Sequence, residues 1–132
     1  MSKNIQNYFT TGELSQLCKI PRKTLLYYDK LGLITPELVD ENGYRYYKRS
    51  QLFLLQLILT LRQLDVPIAR IKDYLANRSP QNYRDLFYER IDFFTQEIAR
   101  LQTMKKKLQS ELGKLDHIAD ITLDKIMLVH EQ

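Results

Sequence analysis

The sequence predicts a mainly α-helical protein: a helix-turn-helix unit with one hairpin, then a long coiled-coil helix. Three observations predict it. The segments TTGELSQLCKI and PRKTLLYYDKLG each have helical character and meet at Pro21, which makes two short helices joined by a tight turn. Asn42-Gly43 is a strong hairpin signal, because both central positions of a type I′ turn need positive φ. Beyond Pro80, apolar residues recur in strict 4-3 steps.

Each element can be argued from its residues. Thr10 is placed to cap the first helix with Glu13 at its third position, a reciprocal capping box. Leu14, Leu17 and Cys18 mark its buried stripe, with Cys18 as a small core filler. That helix must end by Ile20. Pro21 suits the first turn of the second helix, and Gly32 ends it where a left-handed residue costs little. Leu25 and Tyr28, three apart, share the inward face, so Arg22, Lys23 and Tyr27 fall on the other, where a major groove would lie.

The hairpin has strands near 38–40 and 44–47 and presents Arg45, Lys48 and Arg49 beside three tyrosines. Ser50 then caps a third helix to about Leu64, apolar nearly all round and so expected to be buried. Asp65 breaks it. Pro67 starts a fourth helix with Ile68, Ile71 and Leu75 inward, and Ser79 caps the long helix beyond it.

The seam of the long helix runs through Phe87, Ile91, Phe94, Ile98, Leu101, Lys105, Leu108, Leu112 and Leu115. These 29 residues make a rod about 43 Å long. A narrow apolar seam of that length needs a partner helix, and a second copy of the chain by two-fold symmetry is the expected one. The tail, residues 116–132, contains a strand expected over Lys125 to Val129, with nothing in the chain to pair with. The organisation is therefore a unit over 1–78 (helix-turn-helix about 10–31, hairpin about 38–48, second helix pair about 50–77), a coiled-coil helix over 79–115 and a tail over 116–132.

Composition narrows the function. Residues 1–78 carry 12 Lys and Arg against 7 Asp and Glu, whereas residues 79–132 carry 8 against 9. A basic first half is the electrostatic footprint of a nucleic-acid binder. A single cysteine excludes a disulfide framework or cysteine-based metal cluster and suits a reducing cytosol. The first residues lack the apolar core of a signal peptide, and the richest apolar run, residues 52–61, is too short to span a bilayer. A cytoplasmic location is expected. No His-Glu pair on a helix, Gly-rich phosphate loop or nucleophile-base arrangement occurs, so an enzyme is not expected.

The pieces FTTGELSQLCKIPRKTLLYYDKLGLI, ENGYRYYKRSQL and LILTLRQLDVPIARIKDYL, in that order before a long helix, resemble the MerR family of bacterial transcription regulators. The resemblance covers residues 8 to about 115. It implies a winged helix-turn-helix, a second helix pair acting as another wing, and an antiparallel coiled-coil dimer. The hairpin is then a wing along the DNA backbone, with Arg45 as its main charge, framed by Tyr44 and Tyr46 and followed by Lys48. Implied beside it are Thr11 at the first helix, Arg22, Lys23, Thr24, Tyr27 and Tyr28 on the recognition helix, and Arg62 near the phosphates. For Tyr28 and Tyr46 core packing is an equal alternative.

The sequence also departs from the family pattern. Leu26 stands where many relatives have arginine, Asp65 where a glycine is frequent, and no cysteine lies near the end of the coil. His117 and His130 are read as solvated, and no metal or cofactor is expected. The remaining resemblance is to the multidrug or organic-ligand regulators, whose effector domain opens with a strand after the coil; Asp124 to Glu131 resembles that strand. A small organic effector is then expected only if a domain exists beyond Gln132. The aromatic group Tyr83, Phe87, Tyr88, Phe93 and Phe94 is read as packing the long helix against the partner's DNA-binding unit. The expected partners are double-stranded DNA, a second copy, and RNA polymerase indirectly at a promoter, with no membrane. The competing reading is a coiled-coil adaptor without specific DNA binding.

Overall fold

A computed structural model describes residues 7–130. The elements in chain order are β1 (Tyr8–Thr10), α1 (Thr11–Leu17), α2 (Arg22–Lys30), β2 (Leu38–Val39), β3 (Arg45–Lys48), α3 (Ser50–Gln63), α4 (Ile68–Ala76) and α5 (Pro80–His130). The chain divides into two compact units, Met1–Arg84 and Asp85–Gln132.

In the first unit the capping box forms as its sequence requires. The Glu13 N–H donates to Thr10 Oγ1 at 3.1 Å, and the Thr10 N–H donates to Glu13 Oε1 at 3.0 Å. Leu25 and Tyr28 of α2 are buried while Arg22, Lys23 and Tyr27 are exposed, the division their spacing predicts. Gly32 closes α2 at φ +76°. The α1–α2 and α3–α4 turns pass through left-handed residues that are not glycine, Lys19 (φ +57°) and Asp65 (φ +59°). Aspartate tolerates this region better than most residues, which explains how Asp65 occupies a position where glycine would be easier.

The hairpin strands belong to a three-stranded antiparallel sheet of order β1-β3-β2. β1, Tyr-Phe-Thr, consists of strand-favouring residues but is too short to be read as a strand from sequence alone. It pairs Phe9 with Tyr47 and Thr10 with Tyr46, so the wing is stitched to the residue that caps α1. The turn also differs from the type I′ form. Gly43 alone of its central residues has positive φ, and the Gly43 N–H donates to the Asp40 carbonyl at 3.0 Å. This is a tight turn closed by a left-handed glycine, the three-residue hairpin pattern. Asp40 selects it: its Oδ1 accepts the Asn42 and Tyr44 N–H groups, both at 2.9 Å.

The core gathers Leu14, Leu25, Leu33, Ile34, Tyr47, Leu55, Ile58, Leu61, Val66 and Ile71. Several expectations shift by a residue or a face. Leu17 is exposed rather than part of the α1 stripe, and Tyr74 rather than Leu75 is the buried residue after Ile71. Only one face of α3 (Leu55, Ile58, Leu61) is buried, and Phe53 stands in solvent. Ser50 does not cap α3; Arg49 holds the cap position without a side-chain bond, and Gln51 Oε1 accepts the Lys48 N–H at 2.7 Å.

Ser79 does cap α5, its Oγ accepting the Asn82 N–H at 3.0 Å. The tail is a correction. Lys125 to Val129, expected as a strand, continue α5, which runs to His130. A lone strand leaves its backbone groups without protein partners, whereas a continued helix satisfies them within itself. No Gly or Pro after Gly113 interrupts it. Glu131, the far end of the expected strand, lies outside the described residues. In the second unit Ile91, Ile98, Leu101, Leu108, Leu112 and Leu115 are all exposed on the single chain, as is Lys105, while Phe94 is near the edge of exposure and Phe87 is half-buried. Among the described residues no helix is long and apolar enough to cross a membrane.

Candidate nucleic-acid interface

Two clefts in the first unit collect the basic and aromatic residues of the helix-turn-helix and the wing. The larger, about 460 Å³, is lined by Lys23, Thr24, Tyr27 and Tyr28 of α2, Arg62 of α3 and Ile68 of α4. The Pro21–Arg22 boundary starts α2 so that Lys23 and Tyr27, one turn apart, share its outer face. Tyr27 is half in solvent, and its ring lies 6.3 Å from that of Tyr28. Tyr28 is only 6% exposed, so its ring is chiefly core and only its edge reaches the cleft. The Arg62 guanidinium donates from Nη1 to the Val66 carbonyl at 2.8 Å. It therefore ties the end of α3 to the α3–α4 turn while bordering the cleft.

The smaller cleft, about 250 Å³, lies where α1 begins beside the wing and is lined by Thr10, Thr11, Gly12, Arg22, Tyr44 and Arg45. It brings α1, α2 and β3 together. Tyr44 is 64% exposed at the wing. Arg45 Nε donates to Asp29 Oδ2 at 3.1 Å, with the arginine side chain 40% and the aspartate 20% exposed. Tyr46 is turned the other way: its hydroxyl donates to Asp40 Oδ2 at 3.3 Å, and burial, then the Asp40 carboxylate, raise its phenol above the ordinary value. Lys48 pairs with Glu37 at 3.1 Å. The Arg49 guanidinium stacks 5.1 Å from the Phe9 ring centroid.

The residues expected at the interface thus fall into two groups. Lys23, Thr24, Tyr27, Tyr28 and Arg62 share one cleft, and Thr11, Arg22, Tyr44 and Arg45 the other. Tyr46 and Lys48 line neither. Sequence reasoning missed Asp29, Asp40 and Gly12, which arrange these side chains; an acidic residue in a basic motif gives no local sign that it holds an arginine sixteen residues away. Tyr47 is likewise undifferentiated in sequence among three tyrosines, yet it is fully buried, and its hydroxyl has no hydrogen-bond partner of good geometry. Among the described residues no cluster of His, Cys, Asp and Glu could hold a metal ion.

A surface of exposed cations with interleaved aromatics, some on a helix of a helix-turn-helix and others on an adjoining hairpin, suits a duplex backbone. Comparison with known proteins agrees. The family described as MerR HTH family regulatory protein matches residues 9–78, and the one described as MerR, DNA binding matches residues 53–110. The chain is 39% identical over 107 residues to the multidrug-efflux transporter 2 regulator of Bacillus subtilis, covering 79% of this chain and 39% of that protein. It thus spans well under half the length of this relative. The crystal structure of the N-terminus of MtaN, the Bacillus subtilis multidrug transporter activator, superposes with TM-score 0.72 at 20% identity, over 79% of this chain and 97% of that one. HiNmlR, a MerR family regulator lacking the sensor domain and bound to promoter DNA, gives TM-score 0.56 at 25% identity, over 72% and 76% of the two chains. The chain belongs to the MerR family of DNA-binding transcription regulators.

Proposed function

We propose that this regulator acts as a homodimer on a pseudo-palindromic promoter site and activates by bending and untwisting a spacer too long for RNA polymerase to engage both promoter elements. The observation that carries the dimer is the seam of α5. Ile91, Ile98, Leu101, Leu108, Leu112 and Leu115 expose large apolar side chains in 4-3 register, with nothing among the described residues covering them. A second copy of the same seam is the self-complementary way to cover it.

In this reading α2 enters the major groove with Arg22, Lys23, Thr24 and Tyr27, and Tyr28 supports it from the core. Tyr44 and Arg45 of the wing, with Thr11, meet the phosphate backbone, and Arg62 lies beside it. Tyr46 and Lys48, held by Asp40 and Glu37 on the single chain, extend the same wing beside the backbone. Bending a site of this size costs on the order of 1–6 kcal/mol, offset by the contacts that bent DNA permits. Two DNA-binding units held by one dimer supply such contacts at both half-sites. Polymerase is then engaged through the reshaped promoter, and an organic effector belongs to any domain beyond Gln132.

Sedimentation of the chain with a palindromic duplex, together with gel mobility of circularly permuted promoter fragments, tests the proposal. Two chains per duplex and position-dependent mobility are expected. One chain per duplex, or mobility independent of site position, would refute it.

A further inference from the structure

We infer that Gly12 and Asp29 are positioning residues that hold Arg22 and Arg45, both lining the α1–wing cleft, on one backbone phosphate of duplex DNA. The inference deepens the DNA-binding reading and rests on it. Neither residue needs to touch DNA.

The case for Gly12 is steric. A Cβ built there would lie 2.5 Å from Arg22 Nη2, 3.0 Å from Cζ and 3.2 Å from Nε, so the whole guanidinium lies against the bare backbone of α1. Any side chain at position 12 must push that guanidinium away. The obstacle is the far end of a flexible side chain, so the fold accommodates an alanine while the arginine loses its place. Backbone freedom is not the reason for glycine here, because Gly12 is helical and absent from the positive-φ residues.

The case for Asp29 is electrostatic. Its Oδ2 accepts Arg45 Nε at 3.1 Å, which fixes the guanidinium by its inner nitrogen and leaves Nη1 and Nη2 for another anion. Asp29 lies on α2 and Arg45 on β3, so the contact also sets the wing against the recognition helix. Both arginines line the same 250 Å³ cleft with Thr10, Thr11 and Tyr44. Asp29 engages Arg45 only at Nε, so the cleft still presents forked donors from two arginines. A phosphodiester matches the forked geometry of arginine and supplies the charge.

The decisive feature is a reversal of sign. Removing a carboxylate beside a polyanion-binding surface should by charge alone strengthen binding. If Asp29 works through Arg45, removing it should weaken binding. The test measures affinity for a labelled random-sequence duplex by fluorescence anisotropy at low salt, in a double-mutant cycle with thermal midpoints recorded throughout. Asp29→Asn is expected to weaken binding by about three- to tenfold, the scale of one ordinary net hydrogen bond. In an Arg45→Ala background the same change should leave affinity equal or slightly higher. Gly12→Ala should weaken binding by a similar factor without lowering the thermal midpoint, and should have no effect in an Arg22→Ala background.

Tighter binding by Asp29→Asn in the otherwise unaltered protein, or equal weakening with and without Arg45, overturns the role of Asp29. Unchanged affinity of Gly12→Ala overturns that of Gly12. Lys23→Ala separates this failure from that of the underlying reading. If Lys23→Ala weakens binding while the two positioning variants do not, the DNA-binding assignment stands and the positioning roles fall. If Lys23→Ala, Arg22→Ala and Arg45→Ala all leave affinity unchanged, both fall together.

Discussion

Ile98→Asp is the perturbation that puts most weight on the proposed dimer. Ile98 is 57% exposed on the single chain. Burying an isoleucine completely is worth about 1.5–3 kcal/mol, so covering this remainder contributes roughly 1–1.7 kcal/mol per chain. Two-fold symmetry counts it twice, roughly 2–3.5 kcal/mol per dimer. Each aspartate then adds about 1 kcal/mol of desolvation, at the low end because a seam position keeps one flank toward water. The sum is roughly 4–6 kcal/mol, or about a thousand- to ten-thousandfold in the dimer dissociation constant. Sedimentation velocity over a concentration series reads this directly. Ala99→Asp, on the next residue and off the seam, is the matched control and should leave the dimer intact. The Ile98→Asp monomer should also lose affinity for a palindromic site, because half-sites are bound as a pair. A dimer of undiminished stability would rule out this seam as the interface, whatever the DNA binding.

Four further outcomes are expected. Arg45→Ala should weaken binding to specific and random duplexes by similar factors and reduce the slope of log affinity against log salt by about 1; a change confined to sequence preference would remove Arg45 from the backbone. Thr10→Ala should destabilise the first unit by about 1 kcal/mol through loss of the cap, read as a lower thermal midpoint. The Glu13 carboxyl is held below its usual range by the Thr10 backbone N–H first and the Thr10 hydroxyl second. A depressed folded value means that this contribution is complete above the unfolded pKa of about 4.3 and lost as pH falls through the lower folded one, so midpoints of wild type and Glu13→Gln should converge in acid. Lys105→Leu should raise the midpoint of the coil and permit further registers or oligomers, since a polar seam residue restricts both while its stem still packs; analytical ultracentrifugation showing a single unaltered dimer would contradict the second half.

What can be read from sequence divides by the range of the interaction that decides it. The Thr10–Glu13 box, the Ser79 cap and the stop at Gly32 are fixed by residues within four positions, and each forms as its sequence requires. The faces of α2 are legible for the same reason. β1 is not: three residues, Tyr8–Thr10, become a strand only because β3 pairs with them from almost forty residues away. The turn escapes a reading of Asn42-Gly43 alone, because the Asp40 carboxylate just upstream gathers two N–H groups and selects another geometry. The end of α5 escapes a reading by composition. Lys125 to Val129 has strand-like content, but it follows a helix already propagating, where each further residue adds a hydrogen bond without a new nucleus. In the interface, the cations are visible as charges and their organisers are not. Asp29 looks like a lost positive charge until Arg45 is seen beside it.

The wing shows why those organisers matter more than their individual strengths. An exposed ion pair such as Lys48–Glu37 contributes roughly 0–1 kcal/mol, too little to hold a hairpin against strained DNA. The base of the wing is held differently. Tyr47 is wholly buried from β3, a large aromatic anchor, and the strand on its other side carries the cap of α1 through the Phe9–Tyr47 and Thr10–Tyr46 pairs. Burial, then the Asp29 carboxylate, raises the Tyr47 phenol above its ordinary value. At the tip, the Asp40 carboxylate accepts three hydrogen bonds. The hairpin is thus fixed at base, side and tip by residues on three different elements. On the proposed reading, each phosphate contact made by Arg45 then loads the sheet and α1 together, so a distortion of the DNA cannot be relieved by bending the wing alone.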